Sequence, residues 1–197
     1  ILLQTEYRQV NFKSAHNVDF SLFKEKDKSS KNHFFYKFSK ILDFNLFKDS
    51  IMDLKIQKTS NDTYLKKDKL KSELIEDKDV LENSFALDLY SNDLSITIDT
   101  KIYENLNKVN NDRFEFILPK VNLKKNLENK TALKGNFTLN SQGLIRNYNS
   151  NIYEKVNIND LIFESFPSIT KNGFYNNYEF LIKNSNSNTQ NSENYKD

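Results

Sequence analysis

Side chains able to do covalent chemistry are sparse in this chain of 197 residues. It has no cysteine and two histidines, His16 and His33. That removes thiolate catalysis, disulfide frameworks and the usual zinc modules, and leaves little imidazole for acid–base work. A hydrolase would need a base beside a serine, whereas His16 reads as part of a short turn and His33 as a strand start, both plain surface positions. Carboxylate pairs such as Glu6 with Asp19 can meet across neighbouring strands, but among 27 acidic residues such pairs arise by default. There is no glycine-rich phosphate loop, no Gly-x-Ser-x-Gly elbow and no metal-ligand spacing. The residues predict a non-enzymatic protein with no catalytic, cofactor-binding or metal site.

Composition narrows the partners. With 29 basic against 27 acidic residues the net charge is +2, so no global positive field advertises nucleic acid. The 16 Phe, 10 Tyr, 3 Gly and 2 Pro, with lysine far above arginine and abundant asparagine, fit the codon bias of an AT-rich genome. No run approaches the ~18 apolar residues of a spanning helix. A membrane β-barrel stays open, because its strands alternate lipid-facing with lumen-facing residues. The chain begins at Ile1 without a charged or apolar leader, which reads as an internal fragment whose signal peptide lies upstream or has been removed.

The elements that would position any site are strands. Leu94, Ile96, Ile98 and Ile102 alternate with Ser95, Thr97, Asp99 and Lys101, the period of a strand with one wet face. Met52, Leu54 and Ile56 repeat this against Asp53, Lys55 and Gln57; Leu133, Phe137 and Leu139 against Lys134, Asn136 and Thr138. Further copies centre on Phe20, Tyr36, Leu87, Phe116 and Phe180. About ten strands emerge, each near the ~9 to 11 residues a tilted strand needs to cross hydrocarbon.

The connections alternate in length. Short breaks are expected at Ser14 to Asn17, Asn45 to Asp49, Ser91 to Asp93, Lys125 to Asn129 and Pro167 to Asn172. Longer ones are expected at Thr59 to Asp79, Glu104 to Asn111 and Ser141 to Ser150. Short turns at one rim and long loops at the other are the habit of bacterial outer-membrane barrels, and would make the short set periplasmic. The charged stretch 59–79 reads as a solvated loop. Between Asn151 and Ser165 the phase breaks, since Val156 and Ile158 share one parity and Leu161 and Phe163 the other; a β-bulge there would restore the faces. Pro119 removes a ladder donor and marks a bulge, kink or unpaired position, or a tolerated strand end. Tyr7, Phe12, Phe34, Tyr36, Tyr90, Tyr103, Phe114, Phe174 and Tyr178 lie near strand ends, where aromatic girdles would sit.

Four segments carry a resemblance: Asp112-Arg113-Phe114-Glu115-Phe116-Ile117-Leu118-Pro119, Val156 to Ser165, Gly173-Phe174 with Phe180 to Asn186, and Asn194-Tyr195-Lys196. In order and spacing they resemble the barrel of the LptD family, the lipopolysaccharide-assembly outer-membrane proteins also called organic solvent tolerance proteins. The versions most similar are those of alphaproteobacteria. The resemblance covers residues ~112 to 197, with echoes at Glu6-Tyr7-Arg8 and Asn61-Asp62-Thr63-Tyr64.

It implies an all-β fold, an antiparallel meander of about ten long strands forming part of a transmembrane outer-membrane β-barrel over residues 1–197. The family's periplasmic jelly-roll domain would be missing from this fragment. The implied role is to insert lipopolysaccharide into the outer leaflet of a Gram-negative outer membrane without covalent chemistry. The implied partners are membrane lipids, lipopolysaccharide, an LptE-like plug lipoprotein and, through the jelly-roll domain, a periplasmic bridge protein. No functional residue transfers from the family. Glu6, Arg8, Lys55, Asp88, Asp99, Lys101, Arg113, Glu115, Lys134 and Glu179 are candidate lumen-facing residues that would touch the plug or the passing sugar. A passive porin or solute transporter fits the period equally well, and a soluble extracellular β-rich adhesion or binding module remains a third reading.

Overall fold

Alternating apolar and polar residues leave each segment one choice, an extended chain whose two faces differ. The computed structural model of the chain describes residues 1–26, 29–67, 70–149 and 151–192. The strands are β1 (Leu2–Val10), β2 (Ser14–Phe23), β3 (Lys31–Ile41), β4 (Asp49–Thr59), β5 (Val80–Tyr90), β6 (Leu94–Asn105), β7 (Phe114–Leu127), β8 (Gly135–Tyr148) and β9 (Ile152–Ser165). There follow the two-residue strands β10 (Ser168–Ile169) and β11 (Tyr175–Asn176), then β12 (Glu179–Gln190). A one-turn helix α1 (Tyr64–Lys67) and a 3₁₀ turn (Asn110–Arg113) interrupt the connections. Ser150 and Asn194-Tyr195-Lys196, singled out above, and Asp68 and Lys69 of the charged stretch 59–79 lie outside the described residues.

Ten strands form one antiparallel sheet in the order β1-β2-β3-β4-β5-β6-β7-β8-β9-β12, and β10 pairs with β11 apart from it. The sheet is an open meander with β1 and β12 as its edges. Following cross-strand partners from Asp19 leads to Glu6 on β1, Phe35 on β3 and Gln57 on β4. Continued across the sheet, this face collects most of the charge. The opposite face carries Phe20 and Leu22, Tyr36 and Phe38, Leu54 and Ile56, Phe85 and Leu87, Ile96 and Ile98, Val121 and Leu123. His16 and Tyr36 stand on this apolar face and satisfy one another, Nδ1 to OH 2.9 Å.

One residue of slip would invert the faces of a strand, and β7 contains one such step. Asp99 pairs with Lys120 but Lys101 with Ile117, and on the other side Lys120 pairs with Leu144 but Ile117 with Arg146. Leu118 and Pro119 therefore oppose single residues on both neighbours, a bulge at the proline. It puts Glu115 and Lys120, of opposite parity in sequence, on the same polar face.

Four expectations are corrected. The Ser14 to Asn17 segment belongs to β2, the turn being residues 11–13, so His16 is a strand residue. β9 keeps one continuous register with β8 and β12 and has no bulge. Its phase breaks because Val156 is buried on the polar face while Leu161 and Phe163 belong to the apolar one. Ser141 to Tyr148 is strand, leaving only 149–151 between β8 and β9, whereas 166–178 is a long connection containing the β10–β11 hairpin. Long and short connections are therefore mixed on both rims.

Gly135 begins β8 opposite Ser165. A Cβ there would lie 2.3 Å from the Glu164 carbonyl oxygen and 2.6 Å from the Phe163 ring. We expect Gly135→Ala to lower stability in urea unfolding by ~1–3 kcal/mol through overpacking. Gly143→Ala, with nothing within 4 Å of its added methyl, should stay within ~0.5 kcal/mol. Equal midpoints for the two variants would contradict the close approach.

Candidate functional site

The connection between β4 and β5 does not stand off in solvent. Its described parts, residues 60–67 and 70–79, fold back over the polar face of β1–β5. Tyr64, Leu65, Leu70 and Leu74 are buried there with Phe35, Leu81 and Leu106, and Phe23 and Ile75 pack alongside. This apolar cluster lies on the side of the sheet that is otherwise charged, and it corrects the reading of stretch 59–79 as a solvated loop. Burying each of those four loop side chains contributes ~1.5–3 kcal/mol, enough to fix a loop that has little regular structure. The signal in the sequence was the pair Tyr64-Leu65 and the spacing of Leu70 and Leu74, apolar residues amid charge.

Two parts of the loop are held differently. The 60–67 turn is locked at its base by Asn61, whose Oδ1 accepts from the Thr63 N–H at 3.1 Å and the Thr63 hydroxyl at 3.0 Å. Arg113 then clamps it. Its two terminal nitrogens donate to both Asp62 oxygens at 3.1 and 2.7 Å, and its Nε donates to Glu104 at 2.7 Å. The bond from Arg113 holds the Asp62 carboxyl below the ordinary carboxylate range, and the same contacts hold the Arg113 guanidinium more firmly protonated. Lys66 pairs with Asp79, whose carboxyl is likewise lowered by Lys66 and Asn107.

The 70–79 arm reaches across the strands. Gln4 Nε2 donates to the Lys71 carbonyl at 2.9 Å and Gln57 Nε2 to the Leu74 carbonyl at 2.7 Å. Glu73 pairs with Arg8 at 3.0 Å and Glu76 with Lys55 at 2.9 Å.

Beneath the loop sits a fully buried polar chain. Tyr64 OH lies 2.8 Å from Ser21 Oγ, and Ser21 Oγ lies 2.7 Å from His33 Nδ1. His33 Nε2 is 3.3 Å from Asp19 Oδ1, outside hydrogen-bond geometry. The Gln4 amide donates to both Asp19 oxygens at 3.2 and 3.3 Å. His33 lies near the start of β3, as expected, but it is a core residue and its reading as a plain surface position is corrected; it stacks on Phe35 at 4.5 Å.

Serine, histidine and aspartate in series invite comparison with acyl-transfer machinery. The arrangement lacks its requirements: Ser21 Oγ already has two partners, Tyr64 fills the approach, and β2 is paired with strands on both sides, leaving no donor pair for an oxyanion. The network gives Tyr64, Ser21 and Asp19 buried partners and leaves His33 Nε2 without a hydrogen bond. Among the described residues no cluster of His, Asp and Glu is arranged to hold a metal ion.

Eight of the ten candidate residues share the polar face: Glu6 and Arg8, Lys55, Asp88, Asp99 and Lys101, Glu115 and Glu179. Arg113 ends the 3₁₀ turn at one rim and Lys134 lies in connection 128–134 at the other. Glu6 and Asp19 are direct cross-strand partners. Arg8 joins Glu6 at 2.6 Å, Lys55 and Lys101 converge on Glu82 at 3.1 and 3.5 Å, and Glu115 holds Arg146 at 2.7 Å. Asp88, Asp99, Lys134 and Glu179 stand apart from these contacts. Sequence reasoning missed Asp62, Glu73, Glu76, Gln4 and Gln57, whose roles depend on the loop folding inward.

Over β6–β9 and β12 the same face is uncovered. A trough of about 430 Å³ is lined there by Ser95, Thr97, Asn122, Asn140, Gln142 and the Asp160–Lys183 pair at 3.5 Å. Amides and hydroxyls dominate it, a surface that hydrogen-bonds water or a hydroxylated ligand. The chain matches no protein-family model and no curated protein.

Because the folded Asp62 carboxyl has a lowered proton affinity, its contribution to stability is full above the ordinary carboxylate range and is lost as pH falls through the lowered value. Arg113→Gln should cost ~1–2 kcal/mol, discounted for the exposed side of Asp62. It should also flatten the acid limb of the stability curve below pH ~4, as read by urea unfolding across pH. An unchanged acid limb would refute the clamp.

Proposed function

We propose that this chain forms part of the wall of an outer-membrane β-barrel, with the apolar face toward lipid and the polar face toward a wet interior. The observation that carries the proposal is the path of the apolar belt across the sheet. Along a row of cross-strand partners the character changes: Ile96 and Leu123 give way to Ser141, Asn159 and Asn184, and Phe20 and Phe34 to Lys58.

Apolar character persists instead on an oblique line, Phe20, Tyr36, Leu54, Phe85, Ile98, Leu123, Leu139, Leu161 and Phe180. That line shifts by two residues toward the same rim at six of the eight strand boundaries. At ~3.3 Å per residue and ~4.8 Å between strands, the mean shift of about one and a half residues per strand corresponds to strands inclined ~45° to the belt. Membrane barrels tilt their strands by ~35–45°. None of the nine is buried.

Extended one step further, the line runs off the end of β12 into connection 166–178. There Phe166, Ile169, Phe174, Tyr175 and Tyr178 are exposed.

The resemblance to the lipopolysaccharide-assembly family extends this reading to a barrel that inserts lipopolysaccharide into the outer leaflet. An amphiphile with a large sugar head needs a wet path for the sugar beside apolar surroundings for its acyl chains, which the two faces supply. In that role the uncovered half of the polar face meets lipopolysaccharide or an LptE-like plug lipoprotein, and a periplasmic bridge protein delivers the substrate through the jelly-roll domain.

Spin labels at the nine oblique positions, in bilayers, should all report high oxygen accessibility at a common depth. Labels along Ile96, Leu123, Ser141, Asn159 and Asn184 should pass from lipid to water. Shielding of the oblique positions from both media would place them in a protein core and overturn the membrane reading. Depletion of the protein in its own cell should lower surface lipopolysaccharide. Unchanged surface levels with a lipid-exposed belt would leave a passive porin.

A further inference from the structure

The connection from β9 to β12, residues 166–178, stands outside the ten-stranded sheet and has large side chains without a core. Phe166, Ile169, Phe174, Tyr175 and Tyr178 are each more than half exposed. Lys171 is the only charged side chain in the segment.

Its backbone is nevertheless closed on itself. Ser168 pairs with Asn176 and Ile169 with Tyr175 across β10 and β11. At the tip the Thr170 N–H donates to the Phe174 carbonyl at 2.8 Å, the Gly173 N–H to the Thr170 carbonyl at 2.9 Å and the Phe174 N–H to Thr170 Oγ1 at 3.1 Å. At the base the Ser165 N–H donates to the Tyr178 carbonyl at 2.8 Å, the Tyr178 N–H to Ser165 Oγ at 2.7 Å and the Phe166 N–H to the Lys134 carbonyl at 3.0 Å. Pro167 has no N–H to place. A two-stranded hairpin without apolar contacts is marginal in water, so these side chains call for a cover. Paired amides also let the segment enter a less polar medium without stranding its donors.

Height along the strands selects the cover. The apolar belt reaches β9 and β12 at the ends this connection joins: Phe163 lies next but one to the end of β9, and Phe180 is the second residue of β12. The hairpin therefore starts where the belt stops. Phenyl, isoleucine and tyrosine side chains with one lysine and no carboxylate suit the boundary between headgroups and acyl chains, where rings stay in hydrocarbon while hydroxyls and the ammonium reach water.

We propose that the β10–β11 hairpin is an interfacial anchor that rests Ile169, Phe174 and Tyr175 in the headgroup–acyl boundary of a bilayer beside the edge strand β12. The inference rests on the lipid-facing reading of the apolar face and adds to it a lipid contact outside the sheet.

The chain has no tryptophan, so a single one reports its own surroundings. Asn92→Trp, in the polar turn 91–93 on the same rim, serves as the reference. In the full chain, reconstituted in vesicles of phosphatidylcholine and phosphatidylglycerol, Phe174→Trp and separately Tyr175→Trp should emit at shorter wavelength than Asn92→Trp and lose most of its iodide quenching. Both should be quenched by bromines carried on the acyl chains close to the headgroups, at the depth of ~5–10 Å that interfacial side chains reach.

Iodide quenching equal to that of Asn92→Trp, without bromine quenching, while the nine oblique spin labels report lipid, would overturn the anchor and leave the wall standing. Shielding of both tryptophans from iodide and bromine alike would also overturn it, because protein would then cover the hairpin. Oblique labels shielded from lipid would instead remove the reading on which the anchor rests.

Discussion

Unbroken cross-strand register is the constraint on which the rest of this structure depends. A strand separates its side chains with a period of two, so faces stay distinct across ten strands only if every boundary preserves parity. Seven of the nine boundaries do so with regular antiparallel pairing alone. In β7 the residues on either side of Pro119 are out of phase, and the bulge there restores Lys120, Asn122 and Lys124 to the face that holds Glu115. Without that extra residue, Val121 and Leu123 would point among Asp99, Lys101 and Gln142, and lysines would stand in the apolar belt. The proline helps by lacking the N–H that regular pairing would require.

Segregation of the faces produces an arrangement uncommon in soluble proteins. Among the described residues, the apolar face has no covering layer, and Phe20, Phe34, Leu22 and Phe180 are each about two-fifths exposed or more. The buried cluster lies instead on the charged face, under Tyr64, Leu65, Leu70 and Leu74. A soluble sheet would do the reverse, since exposed apolar patches of this extent favour association. The loop does not substitute for a core that holds the strands together. It is a local seal, whose polar underside is resolved by the Tyr64–Ser21–His33 chain and the Gln4–Asp19 pair.

How much of this was legible in the sequence follows from where the belt runs. The strands crossed by the belt along most of their length, β4, β5 and β6, were readable almost to their ends, because each carries several apolar residues of one parity. β8 and β9 were misread. Ser141 to Tyr148 lies beyond the belt and is polar on both faces, so alternation vanishes there although the chain remains extended. In β9 an apolar residue buried on the polar face, Val156, precedes the belt residues Leu161 and Phe163 of opposite parity, which imitates a slip. The site was legible as a set of charges on one face. The contacts that organise it were not, because Asp62, Glu73 and Glu76 act through a loop whose fold rests on four scattered apolar residues, and no periodicity marks them.

The oblique belt also bears on what can cover the apolar face. A second sheet packed face to face aligns its strands within about 30° of the first, and the apolar patch it leaves follows the strands that it covers. A slab of hydrocarbon imposes a different rule: apolar character must end at a fixed height whatever the strand direction, so tilted strands cross it at shifted positions. The shift here accumulates in one sense from Phe20 to Phe180, with Asn159, Asn184 and Asn186 polar above it on strands whose lower ends are Leu161, Phe163 and Ile182. Exposing such amides to hydrocarbon costs several kcal/mol each. The boundary between Leu161 and Asn159 is therefore where a slab would end, and the boundary between Phe34 and Asn32 on β3, many residues away along the strands, is where the same slab would end on the other side of the sheet.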